Sequence, residues 1–267
     1  VDGSYSFSPR YKAKFAGWAY YDLAYDLFDY DTIAGRQTRN ADQPLPFLFN
    51  LSRDKDQKGV DVRELYLDMH YDKMDVRLGR QFVVWGVLEG MRIVDEVQPV
   101  DFRELIMPDL LDARIPLWMA KIDYYRKEGV YQLLWMPEIR VNKPAPPGSE
   151  RELLQEVPGT TYPKQYDPLN ANAGLRFSTN LWDADVTFSY LYTYDYFNTV
   201  FRNIVLNQVQ LAPEFFPKFT RINMYGSTIS KQLGDYIVKG EVAYVTGKYF
   251  SVVNEDRNND GILDSQG

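Results

Sequence analysis

Asp256, Asn258, Asp260 and Asp264 stand in the run DRNNDGILD, which reads D-x-N-x-D-G-x-x-D. A hard cation such as Ca²⁺ needs several oxygen ligands, and alternate side chains in a tight loop deliver them. Gly261 permits the sharp turn, and the Ile262 carbonyl adds a backbone ligand. The twelfth position of such a loop is normally acidic and is Gly267 here. Any affinity is therefore weak, on the order of 10⁻⁴–10⁻³ M. A solvated acidic loop tip accounts for the same residues equally well. Ca²⁺ is the one cofactor that the sequence points to.

A second constellation lies in the charged, Pro-punctuated stretch Met91–Pro116. Val100-Asp101-Phe102-Arg103-Glu104-Leu105-Ile106 reads as a helix start, with Asp101 as N-cap and Glu104 three residues on. Asp112 and Arg114 follow before Pro116. A connection this long with its own helix is usually functional. Folded into a lumen, it sets Arg103, Glu104, Asp112 and Arg114 against inward charges such as Arg77, Lys121 and Asp123. Opposed acidic and basic groups of this kind set the field that a permeating solute crosses. The alternative is a clasp that only stabilises a rim, because paired charges are often structural. Catalysis finds no support. The single histidine, His70, falls on the polar face of a strand, and no nucleophile elbow, phosphate loop or His-rich metal pattern is present. The chain reads as a non-enzyme.

The elements that position these groups are strands. From Tyr5 to Leu27 the odd positions are mostly apolar and the even ones mostly polar, which predicts one long extended strand bent near Pro9 or Gly17. The period of two recurs at Leu65–Tyr71, Met74–Leu78, Trp118–Tyr124, Tyr131–Trp135, Leu175–Phe177, Trp182–Tyr194, Ile222–Met224 and Val238–Tyr244. Short turns fall near Asp72–Lys73, Lys127–Gly129, Asn180–Leu181 and Leu233–Asp235. Long segments fall at Phe28–Gly59, Trp85–Pro116, Val141–Asn170, Asn198–Pro217 and from Ser251 onward. Short and long connections alternate strictly, as in outer-membrane barrels with tight periplasmic turns and long outer loops. Aromatic residues cluster at strand ends, where interfacial girdles sit.

Composition narrows the classes. The 267 residues contain no Cys, which excludes a disulfide framework and Cys-based zinc sites. Net charge is −7 with no basic block, so nucleic acid is not a partner. No run approaches the roughly 18 apolar residues of a membrane helix. A barrel strand needs apolar residues only at alternate positions, so a negative mean hydropathy does not exclude a membrane barrel. About nine strands are counted, an odd number, and the last runs outward into a polar loop. This predicts the N-terminal part of a larger barrel, incomplete at the C-terminus or completed by another chain.

Arg63–Gly86, RELYLDMHYDKMDVRLGRQFVVWG, Met91–Tyr125, and Trp135–Pro144, WMPEIRVNKP, together resemble a proteobacterial outer-membrane β-barrel family catalogued as a domain of unknown function. The resemblance implies a large barrel, often longer than this chain, whose genes are often associated with periplasmic lipid-handling proteins and transporters of the resistance-nodulation type. It implies no catalytic residues. The Asp256–Asp264 run also resembles EF-hand and dockerin calcium loops, without flanking helices.

The sequence thus reads as all-β: a single transmembrane antiparallel β-barrel domain over 1–267, with a partly helical plug or constriction loop at 91–116. The expected place is the outer membrane of a Gram-negative bacterium. The expected role is a porin-like channel or transport barrel for a small or amphipathic solute, lipid-related ones included. The partners are outer-membrane lipid and a periplasmic or transporter protein. Two alternatives stay open: a structural or docking barrel for periplasmic or extracellular partners, and a soluble carbohydrate-binding β-protein.

Overall fold

The computed structural model describes residues 1–21, 58–103, 110–144, 159–207 and 210–250. Their strands are β1 (Asp2–Ser8), β2 (Tyr11–Tyr21), β3 (Lys58–Tyr71), β4 (Met74–Gln81), β5 (Leu117–Arg126), β6 (Gly129–Met136), β7 (Asn172–Leu181), β8 (Ala184–Tyr194), β9 (Thr199–Asn207), β10 (Gln210–Lys218), β11 (Arg221–Leu233) and β12 (Tyr236–Thr246). Among the described residues the chain is all-β apart from one helical turn, α1 (Leu110–Ala113). Ten strands form one antiparallel sheet in the order β1-β2-β3-β4-β5-β6-β7-β8-β11-β12. β1 and β12 are its edges and do not pair with each other.

Two-residue turns at Pro9–Arg10, Asp72–Lys73, Lys127–Glu128, Trp182–Asp183 and Gly234–Asp235 all lie at one end of the sheet. Trp182 and Asp183 both have positive φ (52° and 57°), as a tight hairpin turn with the twist of its strands requires. All the longer connections lie at the opposite end.

Two expectations need correction. The single strand expected from Tyr5 to Leu27 is the hairpin β1–β2, turning at Pro9–Arg10, and residues 22–27 lie outside the described residues. Proline breaks a strand by removing a donor and fixing φ. The turn is invisible to periodicity because Ser6 faces Lys12 while Ser8 faces Tyr11. The bulge between them takes up one residue, so odd-numbered positions stay on one face of both strands. The expected loop Asn198–Pro217 contains the separate hairpin β9–β10, in which Phe201 stacks on Phe216. Pro213 and Pro217 in its second strand suit a two-stranded ribbon with open edges. The sheet therefore holds ten strands rather than about nine.

The two faces differ. On the outer face Leu133, Leu175, Phe188, Tyr225 and Val242 are 48%, 50%, 51%, 51% and 64% exposed. From β4 to β8 and on β11, charged side chains stand on this face only near strand ends. Arg80 and Arg221 are at the long-connection end, and Arg126 and Lys231 at the turn end. On the inner face the alternate residues Thr187, Ser189, Leu191 and Thr193 of β8, and Leu134 and Met136 of β6, are buried. Leu134, Met136 and Leu191 are covered by the connection from β4 to β5, residues 82–116, called the insert below.

Candidate functional site

The insert begins where β4 loses its partner and the apolar run from Phe82 to Leu88 starts. A ten-stranded sheet offers one inner face, and these residues supply its cover. Trp85, Val94 and Val97 are fully buried against Leu117, Leu134, Met136, Leu191 and Met224. Two glycines make room for the approach. A Cβ on Gly174 would lie 2.6 Å from the Trp85 ring, and one on Gly226 would lie 2.7 Å from Val94. Buried apolar area here removes the insert and the long-connection half of the inner face from water together.

Polar contacts then fix the insert in one register. Gln98 accepts from the Val83 N–H at 3.1 Å and donates to the Gln81 carbonyl at 2.8 Å. Asp95 accepts from the Trp85 N–H at 3.1 Å and from the Arg114 guanidinium, in a buried ion pair. Arg92 donates to the carbonyls of Asp95 and Gln98. Tyr196, in the connection after β8, donates to the Val97 carbonyl at 2.9 Å. Burial pushes the Tyr196 phenol well above its usual pKa, so it remains a donor at any ordinary pH. Burial also raises the Glu96 carboxyl, against the opposing pull of Arg92.

Toward the turn end the inner face becomes polar. Arg77 forks onto Asp68 with bonds of 2.6 and 3.0 Å, and its guanidinium lies 4.0 Å over the Tyr66 ring. Lys121 donates to Asp123 at 2.7 Å, and Gln132 donates to the other Asp123 oxygen at 2.7 Å. The Trp85 indole donates to Gln132 at 2.7 Å, so one chain of bonds links the insert to the charged half. Thr187 and Thr228 bond across β8 and β11 at 2.7 Å.

The expected pore residues are thus distributed. Arg77, Lys121 and Asp123 share the inner face. Arg114 is buried against Asp95, behind the face of the insert. Arg103 forks onto Asp101, and Asp101 also accepts the Arg103 N–H; the expected helix beyond Arg103 lies outside the described residues. Burial works to raise the Asp101 carboxyl, and the bonds and charge of Arg103 outweigh it, holding the group below the usual carboxylate range. Val100 and Asp101 lie in bridges to Arg114 and Lys143. The Asp112 side chain is exposed, while its carbonyl accepts from Arg63 at 2.7 Å. Glu104 lies outside the described residues, as do Asp256, Asn258, Asp260, Ile262 and Asp264 of the expected calcium loop. Among the described residues no group of three or more acidic or His side chains is placed to hold a metal ion. His70 bonds Asp75 at 2.8 Å, and Tyr125 donates to the same carboxylate at 2.8 Å, near the turns.

The sequence reading missed Trp85, Asp95, Gln98 and Tyr196. A signal existed for Trp85: it sits in the longest apolar run, directly after a strand whose alternation stops. Asp95 and Gln98 carried none, because a lone acid or amide in a loop reads as solvated.

No curated protein and no solved structure matches the chain. Over residues 1–265 it matches the family described as protein of unknown function (DUF1302), and it belongs to that family.

Proposed function

We propose that the sheet is wall of a transmembrane antiparallel β-barrel in a bacterial outer membrane, and that the barrel is a channel or transport barrel for a small or amphipathic solute. The outer face carries this reading. A soluble sandwich buries such a face against a second sheet, whereas here large apolar side chains stand exposed from β5 to β12. Arg221 and Lys231 bracket that face on β11, ten positions apart. At about 3.4 Å per residue and a tilt near 45°, they are roughly 24 Å apart along the membrane normal, close to the apolar band of about 25 Å that such barrels present. In lipid the free edges of β1 and β12 require pairing, with further strands of the barrel.

The polar half of the inner face supports conduction, since Arg77, Asp68, Lys121 and Asp123 would line a water-filled path narrowed by the insert. The tests are detergent dependence on purification and ion conductance of the complete protein in planar bilayers. Protein that inserts but carries no current favours a docking barrel, a reading that the sealed apolar seat supports. A monodisperse detergent-free preparation sinks both and leaves a soluble β-protein. The Asp256–Asp264 run adds a proposed weak Ca²⁺ loop on the outer side. Calorimetric titration of the complete protein with millimolar calcium, and of Asp260→Ala, decides it: saturable heat lost in the variant supports the loop, and absence of heat removes it.

A further inference from the structure

Glu241 faces inward from the edge strand β12, opposite Thr228. One of its oxygens accepts the N–H groups of Val87 and of Leu88 (2.8 Å), and the other accepts that of Val94 at 3.0 Å. Two positions before it, Lys239 bonds Glu89 at 2.8 Å. Two and four positions after it, Ala243 and Val245 pack against the apolar seat. The inward side chains of this strand from 239 to 245 are thus all engaged with the insert or its seat. By contrast, Asp95, Gln98 and Tyr196 hold the insert at Val83, Trp85 and Val97, Arg92 and Val94 are tied to the same seat, and the loop 86–91 is left to Glu241 and Lys239.

The loop is shaped for that carboxylate. It is not helical or paired, so its N–H groups need outside acceptors. A Cβ on Gly86 would lie 2.9 Å from a Glu241 oxygen and 3.0 Å from Asp95, and Gly90 turns the chain with φ +82°. Only an acid presents two acceptor oxygens in one plane. A glutamine would turn one of them into a donor facing another donor, the Val94 N–H.

We infer that Glu241 is the positioning residue of the constriction: it fixes the loop 86–91 against the β12 wall and thereby sets the width of the permeation path. The inference rests on the channel reading above. It places the adjustable part of the insert at its loop, and the fixed part at Trp85 and Val97. With the carboxylate in place the loop is held to the wall. Without it the Val87 and Leu88 N–H groups turn to water, and the loop moves while its seat, Val94 included, stays packed.

The test uses the complete protein with Glu241→Ala and Glu241→Gln. In detergent, hydrogen exchange at the amides of Val87 and Leu88 should accelerate in the Ala variant, while those of Val83 and Trp85, held by Gln98 and Asp95, and of Val94, buried in the seat, stay slow. In planar bilayers the same variant should show altered single-channel conductance, with Gln intermediate in both readouts. Uniform acceleration at all five amides means that the seat has come apart and overturns the assignment of Glu241 to the loop alone. Wild-type protein that carries no current overturns the channel reading and this inference with it. Wild-type protein that conducts, with an Ala variant of unchanged current, overturns this inference alone.

Discussion

The two halves of the inner face are built from the same strands and differ in what lies over them. At the long-connection end Leu134, Met136, Leu191 and Met224 are fully or almost fully buried under Trp85 and Val94. A few residues along the same strands, Lys121 and Gln132 bond Asp123, and Thr187 bonds Thr228. The outer face shows no such change: Leu133, Phe188 and Tyr225 are apolar across the middle of the sheet. The polarity of an inward position therefore reports its cover, while that of an outward position reports the surroundings of the whole sheet.

The comparison breaks most severely at Arg114. Arg114→Ala leaves the buried Asp95 with only the more distant Arg92, 3.7 Å away, as a charge partner, and it should cost about 3–5 kcal/mol of stability. Denaturant unfolding followed by Trp fluorescence measures it. A loss under about 1 kcal/mol, the range of an exposed pair, would show that the seat is not held by this pair.

Phe188→Arg acts on the outer face, level with Thr187 and Ser189, where the inner face turns polar. In a bilayer near its midplane it should cost roughly 2–4 kcal/mol and impair insertion. In water a half-exposed position would tolerate it with little effect. Heat-modifiable migration of protein refolded into lipid vesicles separates the two results.

Gly174→Ala sharpens the contrast within the inner face. Its methyl would meet Trp85, and overpacking there should cost about 1–3 kcal/mol. Gly240→Ala, where the nearest atom would be 3.3 Å away on the Ile229 side chain, should shift the unfolding midpoint much less. Equal shifts would mean that Trp85 can yield.

The smallest effect is expected at Glu96. Its folded-state pKa is raised by burial, so its contribution is fully present below the unfolded value of about 4.3 and is lost as pH rises through the raised value. Glu96→Gln should match wild type near pH 4 and melt slightly higher near pH 8. A variant that melts lower than wild type at the higher pH removes this account.

Much of the sheet was legible because outward positions obey a period of two whatever covers the other face. Val186, Phe188, Tyr190 and Tyr192 alternate with Thr187 and Ser189 along the sequence and lie on the opposite face of β8. The inner face was harder. Ile222 and Met224 alternate as cleanly as any outward set, yet they point inward to the seat. Alternation has the same form on either face, and only the insert decides which is apolar. In β6 the run Leu133-Leu134-Trp135-Met136 blurs the pattern because both of its faces are apolar there. Arg77, Lys121 and Asp123 could be found as inward charges, whereas Asp95 could not, since its partner Arg114 lies far along an irregular segment.

The order of strands also bears on how the chain assembles. Every neighbour in the sheet is a neighbour in sequence except the pair β8–β11. Each two-residue turn lets a hairpin form from local contacts, the regime in which β-proteins fold fastest. The exception joins Tyr194 to Arg221 across the β9–β10 hairpin. Closing a span of 26 residues instead of two costs only about 2 kcal/mol more in chain entropy, since that cost grows with the logarithm of length. The hairpin, which pairs within itself, shortens the free span further. The sheet can therefore grow hairpin by hairpin from its turns, with a modest delay at each longer connection: β2–β3, β4–β5, β6–β7 and β8–β11.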